Sequence, residues 1–126
     1  MVCLIAALLL GILIQLPLSP QVPVLAVLWP TYLHVFLVGW LTQLIFGVAF
    51  WLFPRYSAER PRGNERLGWW SFALLNFGLV LRVIGEPWRT LTGSGLAGAL
   101  LVGSAFAQWL AGWAFAVNTW PRLRER

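Results

Sequence analysis

The chain has 126 residues, of which 60% are hydrophobic and 10% charged, with a formal net charge of +5. A soluble domain carries about 25% charged residues, so this chain cannot cover its own surface with polar groups, and a bilayer is its expected surrounding. All nine basic residues are arginine, placed in short segments beside long apolar runs; that is the pattern of membrane-flanking charge, and no nucleic-acid partner is expected.

A bilayer core of about 30 Å needs roughly 20 apolar residues in a helix. The first candidate span covers residues 2–18 and is stopped by Pro17 and Pro20. It has no basic n-region and no small-residue cleavage site, so it reads as a retained helix and not as a signal peptide. Residues 20–30 hold three prolines and no charge, which reads as an apolar connector at the interface. The second span, 31–53, is bracketed by Pro30 and Pro54, since proline suits both the first turn of a helix and the position just past its last turn. A solvated loop rich in arginine comes next. The third span covers 67–85 and is expected to end at Glu86-Pro87; the fourth covers 95–119, ended by Pro121. The expected fold is an all-α, single-domain, four-helix membrane bundle.

Four spans put both termini and the 54–67 loop on one side, with Arg55, Arg60, Arg62, Arg66, Arg122, Arg124 and Arg126. The other side has only Arg82 and Arg89. The positive-inside rule then places both termini in the cytoplasm and the chain in the cytoplasmic (inner) membrane. Within the bilayer, helices associate through small residues and polar pairing. The sequence offers two such stripes, Gly39–Gln43–Gly47 on the second helix and Gly98–Ala105–Gly112–Ala116 on the fourth. Gln43, Asn76 and Gln108 are expected to hydrogen-bond across helices.

Cys3 is the only cysteine, so an intrachain disulfide and a cysteine-based metal cage are both impossible. The only histidine, His34, lies about one turn inside the outer end of the second helix. At 100° per residue it points away from the Gly39–Gln43–Gly47 face. Arg82 matches it in depth on the third helix, and Glu86 and Arg89 come just outside. Each has a plain reading: a histidine bonded to water or a carbonyl, and Arg82 and Glu86 paired at i, i+4. The sharper reading is a haem, with His34 as the metal ligand and Arg82 and Arg89 near the propionates.

The stretch HVFLVGWLTQLIFGVAFWLFPR, residues 34–55, resembles the second helix of the haem-copper oxidase and nitric-oxide reductase catalytic subunit, which has a histidine near its outer end, a glycine midway and a proline at its inner end. Residues 31–87, including LNFGLVLR and GEP, look more specifically like small four-helix proteins related to one part of that subunit. The resemblance covers rather under half of the chain. It implies a haem b ligated by His34 from the outer side, serving electron transfer or diatomic-gas binding. The large subunits use several histidines and this chain has one, so a gas-reducing centre cannot be built from a single copy. What remains is a five-coordinate haem, ligation shared by His34 from two copies of a homo-oligomer, or a chain that has lost its cofactor. Whether the chain is an enzyme is left open. Two other readings stand beside it: a cofactor-free structural subunit of a larger respiratory or redox membrane complex, and a quinone- or lipid-binding module using the aromatic outer rim.

Overall fold

The computed structural model describes residues 1–16, 25, 27–54 and 62–124. Most of the 20–30 connector, Arg55 and Arg60 of the arginine-rich loop, and Arg126 of the tail lie outside the described residues. The described residues form four helices and no strand: α1 (Val2–Gln15), α2 (Trp29–Leu52), α3 (Glu65–Thr92) and α4 (Gly95–Arg124). Three of them, α2 to α4, are long and apolar enough to cross a membrane. α1 has 14 residues, a rise of about 21 Å at about 1.5 Å per residue, and so falls short of a full crossing.

α3 and α4 form an antiparallel pair with one constant register. Ser71 Oγ donates to Ala111 O at 2.8 Å, a Cβ on Gly78 would lie 2.9 Å from Ser104 O, and one on Gly85 would lie 3.5 Å from Ala97 O. Each step of seven along α3 is matched by a step of seven back along α4, the spacing of a left-handed helix pair. Residues 71, 78 and 85 face residues 97, 104 and 111, all of them small and all buried. Small side chains allow the backbones to meet where lipid supplies no hydrophobic drive. One step further, Asn64 N–H donates to Asn118 Oδ1 at 2.9 Å and ties the start of α3 to α4.

Both proline boundaries on α3 and α4 fall differently from expectation. α3 continues through Pro87 to Thr92, and α4 continues through Pro121 to Arg124. A proline removes only its own N–H from the ladder, here the one that would have reached Val83 O, and the helix goes on around that gap. α3 stops instead at Gly93, whose φ of 66° is the left-handed closure that glycine adopts freely, with its N–H on Arg89 O at 2.9 Å.

α2 packs on α1 and α3. Between Val35 and Thr42 its hydrogen bonds widen from i→i+4 to i→i+5, and Thr42 Oγ1 donates to Leu37 O at 2.9 Å. Gly39 sits in this widened turn, pressed between two helices. A Cβ there would come within 2.8 Å of Leu79 Cδ2 and 3.2 Å of Cys3 Cβ. α1 runs antiparallel to α2, with Cys3 at Gly39 and Gly11 at Tyr32. It therefore covers the half of the α2–α3 seam that contains His34.

Candidate functional site

His34, Arg82 and Glu86 meet where α2 crosses the far part of α3. Thr31 and His34 stand one turn apart on α2, and Arg82 and Glu86 one turn apart on α3, so two pairs of side chains face each other. Thr31, 2% exposed, donates from Oγ1 to Glu86 Oε2 at 3.0 Å. His34 Nδ1 lies 2.9 Å from Glu86 Oε1 and 2.9 Å from Pro30 O. Arg82 Nη1 lies 3.2 Å from His34 Nε2 and 3.4 Å from Glu86 Oε1. On its other side Arg82 Nε donates to Ser104 Oγ at 3.2 Å, and Ser104 Oγ–H donates to Gly78 O at 2.6 Å. Gln108 Nε2 adds a third contact to the same hydroxyl, at 3.3 Å.

The donors and acceptors fix the protonation pattern. A guanidinium only donates, so Nε2 of His34 presents its lone pair to Arg82, and the ring proton sits on Nδ1, hydrogen-bonded to Pro30 O, with Glu86 Oε1 2.9 Å from the same nitrogen. Both oxygens of Glu86 receive donors, as an ionised carboxylate requires. One carboxylate and one guanidinium cancel around a neutral imidazole. The cluster is neutral, and the side-chain partners come from α2, α3 and α4. Glu86 is buried, while 31% of the His34 side chain stays exposed.

Of the expected site residues, His34 and Arg82 come together and Arg89 does not join them. Arg89 Nη1 donates to Ser94 O at 3.0 Å, and its guanidinium lies over Gly98, closing the turn between α3 and α4. Thr31, Glu86 and Ser104 complete the cluster. Of these, Glu86 was expected to pair with Arg82 at i, i+4, as it does at 3.4 Å, and Thr31 and Ser104 were missed. Gln43 Nε2 does reach across to Asn76 Oδ1, at 3.0 Å, whereas Gln108 bonds within its own helix.

A haem iron at His34 needs a free nitrogen lone pair and a slot for the porphyrin. The lone pair of Nε2 is held by Arg82, and Nδ1 carries the proton. A cavity of about 420 Å³ does open in the bundle, but at the opposite end, and neither His34, Arg82 nor Arg89 lines it. As these side chains are held, they do not fit a haem. In comparisons with known proteins the chain matches no family model, no curated protein and no solved structure.

Proposed function

We propose that the chain is an integral membrane protein whose function is to bind a proton at the His34–Glu86–Arg82 cluster. The excess of arginine at the Arg122 end supports a cytoplasmic placement of that end, with the cluster in the extracytoplasmic half of the bilayer. α1 starts at mid-depth with its N-terminus directed to the cytoplasmic side. The observation that carries this reading is one imidazole between a buried carboxylate at 2.9 Å and a guanidinium at 3.2 Å. Ionisable groups are costly inside a membrane, and imidazole–carboxylate pairs at such depth are the usual parts of proton sites.

The chemistry comes from the tautomer. A proton arriving from the exposed side of the ring can add only at Nε2, which holds the lone pair. The new N–H then faces the N–H groups of Arg82, donor against donor, and Arg82 has to turn away. Nδ1–H keeps its bond to Pro30 O, and Glu86 Oε1, 2.9 Å from the same nitrogen, now faces an imidazolium, a stronger attraction than before. The α2–α3 contact through Arg82 is exchanged for one through Glu86, so proton occupancy is coupled to how α2 sits on α3. The test is proton uptake by detergent-purified protein on acidification, read with a pH-indicating dye. The wild type is expected to take up one proton per chain more than His34→Gln; equal uptake would overturn the assignment.

The haem b reading is favoured by one observation, the 31% exposure of the His34 side chain, which leaves room for approach from a second copy of the chain. It requires Arg82 to release Nε2. On that reading the purified protein shows a Soret band that His34→Ala removes, and the chain serves in electron transfer or gas binding, alone or within a larger redox complex.

A further inference from the structure

A second site lies at the other end of the bundle. α1 tracks the α2–α3 seam only as far as Gly39 and Leu79, where Cys3 packs. One turn further, from Gln43 and Leu75 onward, the seam opens into the cavity of about 420 Å³. Its walls are aromatic: Phe46 and Phe115 stack with centroids 4.0 Å apart, and Phe50 and Phe72 also line it. Gly47 leaves one side open, since a Cβ there would meet no atom within 4 Å. Its charged lining residues, Arg62 and Glu65, stand at the mouth beside the start of α3, and the uncharged polar Gln43 and Ser71 lie further in.

Among the described residues, Arg62 and Arg122 stand with Glu65 at this end of the bundle, Arg62 and Glu65 lining the cavity and Arg122 behind it. Arg62 lies 3.6 Å from the centroid of the Trp51 ring, at the last turn of α2. Arg122, 3% exposed, caps that same turn: Nε donates to Pro54 O at 2.9 Å, and Nη2 to Phe53 O at 2.7 Å and Phe50 O at 3.1 Å. Its Nη1 is buried and has no partner among the described residues. Asn118 Nδ2 is likewise unpartnered among them, and lies 3.9 Å from where a Cβ on Gly68 would stand, a residue of the cavity wall. Among the described residues no ion pair joins either arginine to a carboxylate. Buried donors without partners are costly, and a ligand that supplies acceptor oxygens relieves that cost.

We infer that this cavity is the seat of an anionic phospholipid, with an acyl chain in the aromatic slot between α2 and α3 and the phosphate at Arg62, the arginine that lines it, with the buried Arg122 adding charge from behind. The volume falls in the range of about 300–1,000 Å³ typical of small-molecule sites between helices. The apolar chamber and the cationic mouth succeed each other along the bundle axis as tail and headgroup do across one leaflet. Arginine meets phosphate with two parallel donors, and an excess of arginine selects an anionic over a zwitterionic headgroup.

The test is native mass spectrometry of the delipidated full chain in detergent, with phosphatidylglycerol, phosphatidylcholine or inorganic phosphate added back. Phosphatidylglycerol is expected to be retained at least tenfold over phosphatidylcholine. Arg62→Gln should erase that preference while leaving phosphatidylcholine unchanged, and Gly47→Phe, which fills the chamber, should abolish retention of both. Gly47→Leu carries the same comparison if the larger residue lowers helicity, and Gly47→Ala should bind as wild type. Equal retention of the two lipids would overturn the proposal, as would retention by the filled variants. Loss of the lipid to excess inorganic phosphate would also overturn it, assigning the mouth to a free anion.

Discussion

Arg82 holds Nη1 3.2 Å from Nε2 of His34, and this contact decides the state of the only imidazole in the chain. It requires a lone pair on Nε2 and a proton on Nδ1, which gives the N–H of His34 to Pro30 O at 2.9 Å, with Glu86 Oε1 beside it at the same distance. The guanidinium also reaches back to Ser104, so the same side chain joins α2 to α4 through α3.

Removing Arg82 leaves Glu86 buried without its cation and Nε2 without its donor. Arg82→Ala is expected to lower stability by about 2–3 kcal/mol, the cost of breaking a buried, charge-assisted hydrogen bond. Thermal unfolding in detergent, monitored by helicity, reads this directly. On the haem reading the same change also weakens haem retention.

The Arg82–Glu86 pair should show coupling in a double-mutant cycle. Arg82→Met and Glu86→Met each strand one buried charge, while the double variant replaces both with apolar groups and strands neither. The double variant is expected to be more stable than the Arg82→Met single variant, with a coupling of about 1–3 kcal/mol. Additive single effects would show that the two side chains do not form a unit.

Glycines on α3 and α4 separate into two classes. Gly78→Ala brings a methyl to 2.8 Å from Gln108 Cγ and 2.9 Å from Ser104 O, and since one of those atoms is backbone the helices have to part. The expected cost is about 1–3 kcal/mol, together with loss of the Ser104–Gly78 bond and a shift of Arg82. Gly112→Ala meets no atom within 4 Å and should raise stability by up to about 1 kcal/mol through helix propensity alone. Opposite signs in thermal unfolding are the expected result.

Asn118 acts as a clasp at the Arg122 end, accepting the Asn64 N–H at 2.9 Å beside Gly63, whose φ is 73°. Asn118→Ala should free the start of α3, costing about 1 kcal/mol, the usual value of a helix-end hydrogen bond. Hydrogen exchange at the Asn64 amide is the readout, with faster exchange in the variant.

Much of the architecture was legible in the sequence, because long apolar runs with flanking arginines leave few alternatives. The depth match of His34 with Arg82 was legible too, since rise per residue is insensitive to helix details. Azimuth was not. The rule of 100° per residue puts His34 opposite Gly39, whereas the widened turn at Val35–Thr42 shifts the phase, and both residues face α3. On α4 the expected stripe, Gly98–Ala105–Gly112–Ala116, lies beside the true seam, Ala97–Ser104–Ala111–Asn118, which is buried throughout. The neighbouring stripes have similar composition, and only the polar members Ser104 and Asn118 mark the inner one. Thr31 was hidden for a simpler reason: a threonine after Pro30 reads as a helix start, and its hydroxyl bonds a residue 55 positions away.

Because the chain has a single histidine, nitrogen-15 labelling of histidine gives the spectrum of one ring, and its two nitrogen shifts report directly which nitrogen carries the proton. At neutral pH the wild type is expected to show a protonated Nδ1 and an acceptor-type Nε2. On acidification Nε2 should gain a proton while Nδ1 keeps its own, still bonded to Pro30 O. A ring protonated at Nε2 and bare at Nδ1, or one coordinated to iron, would contradict this assignment.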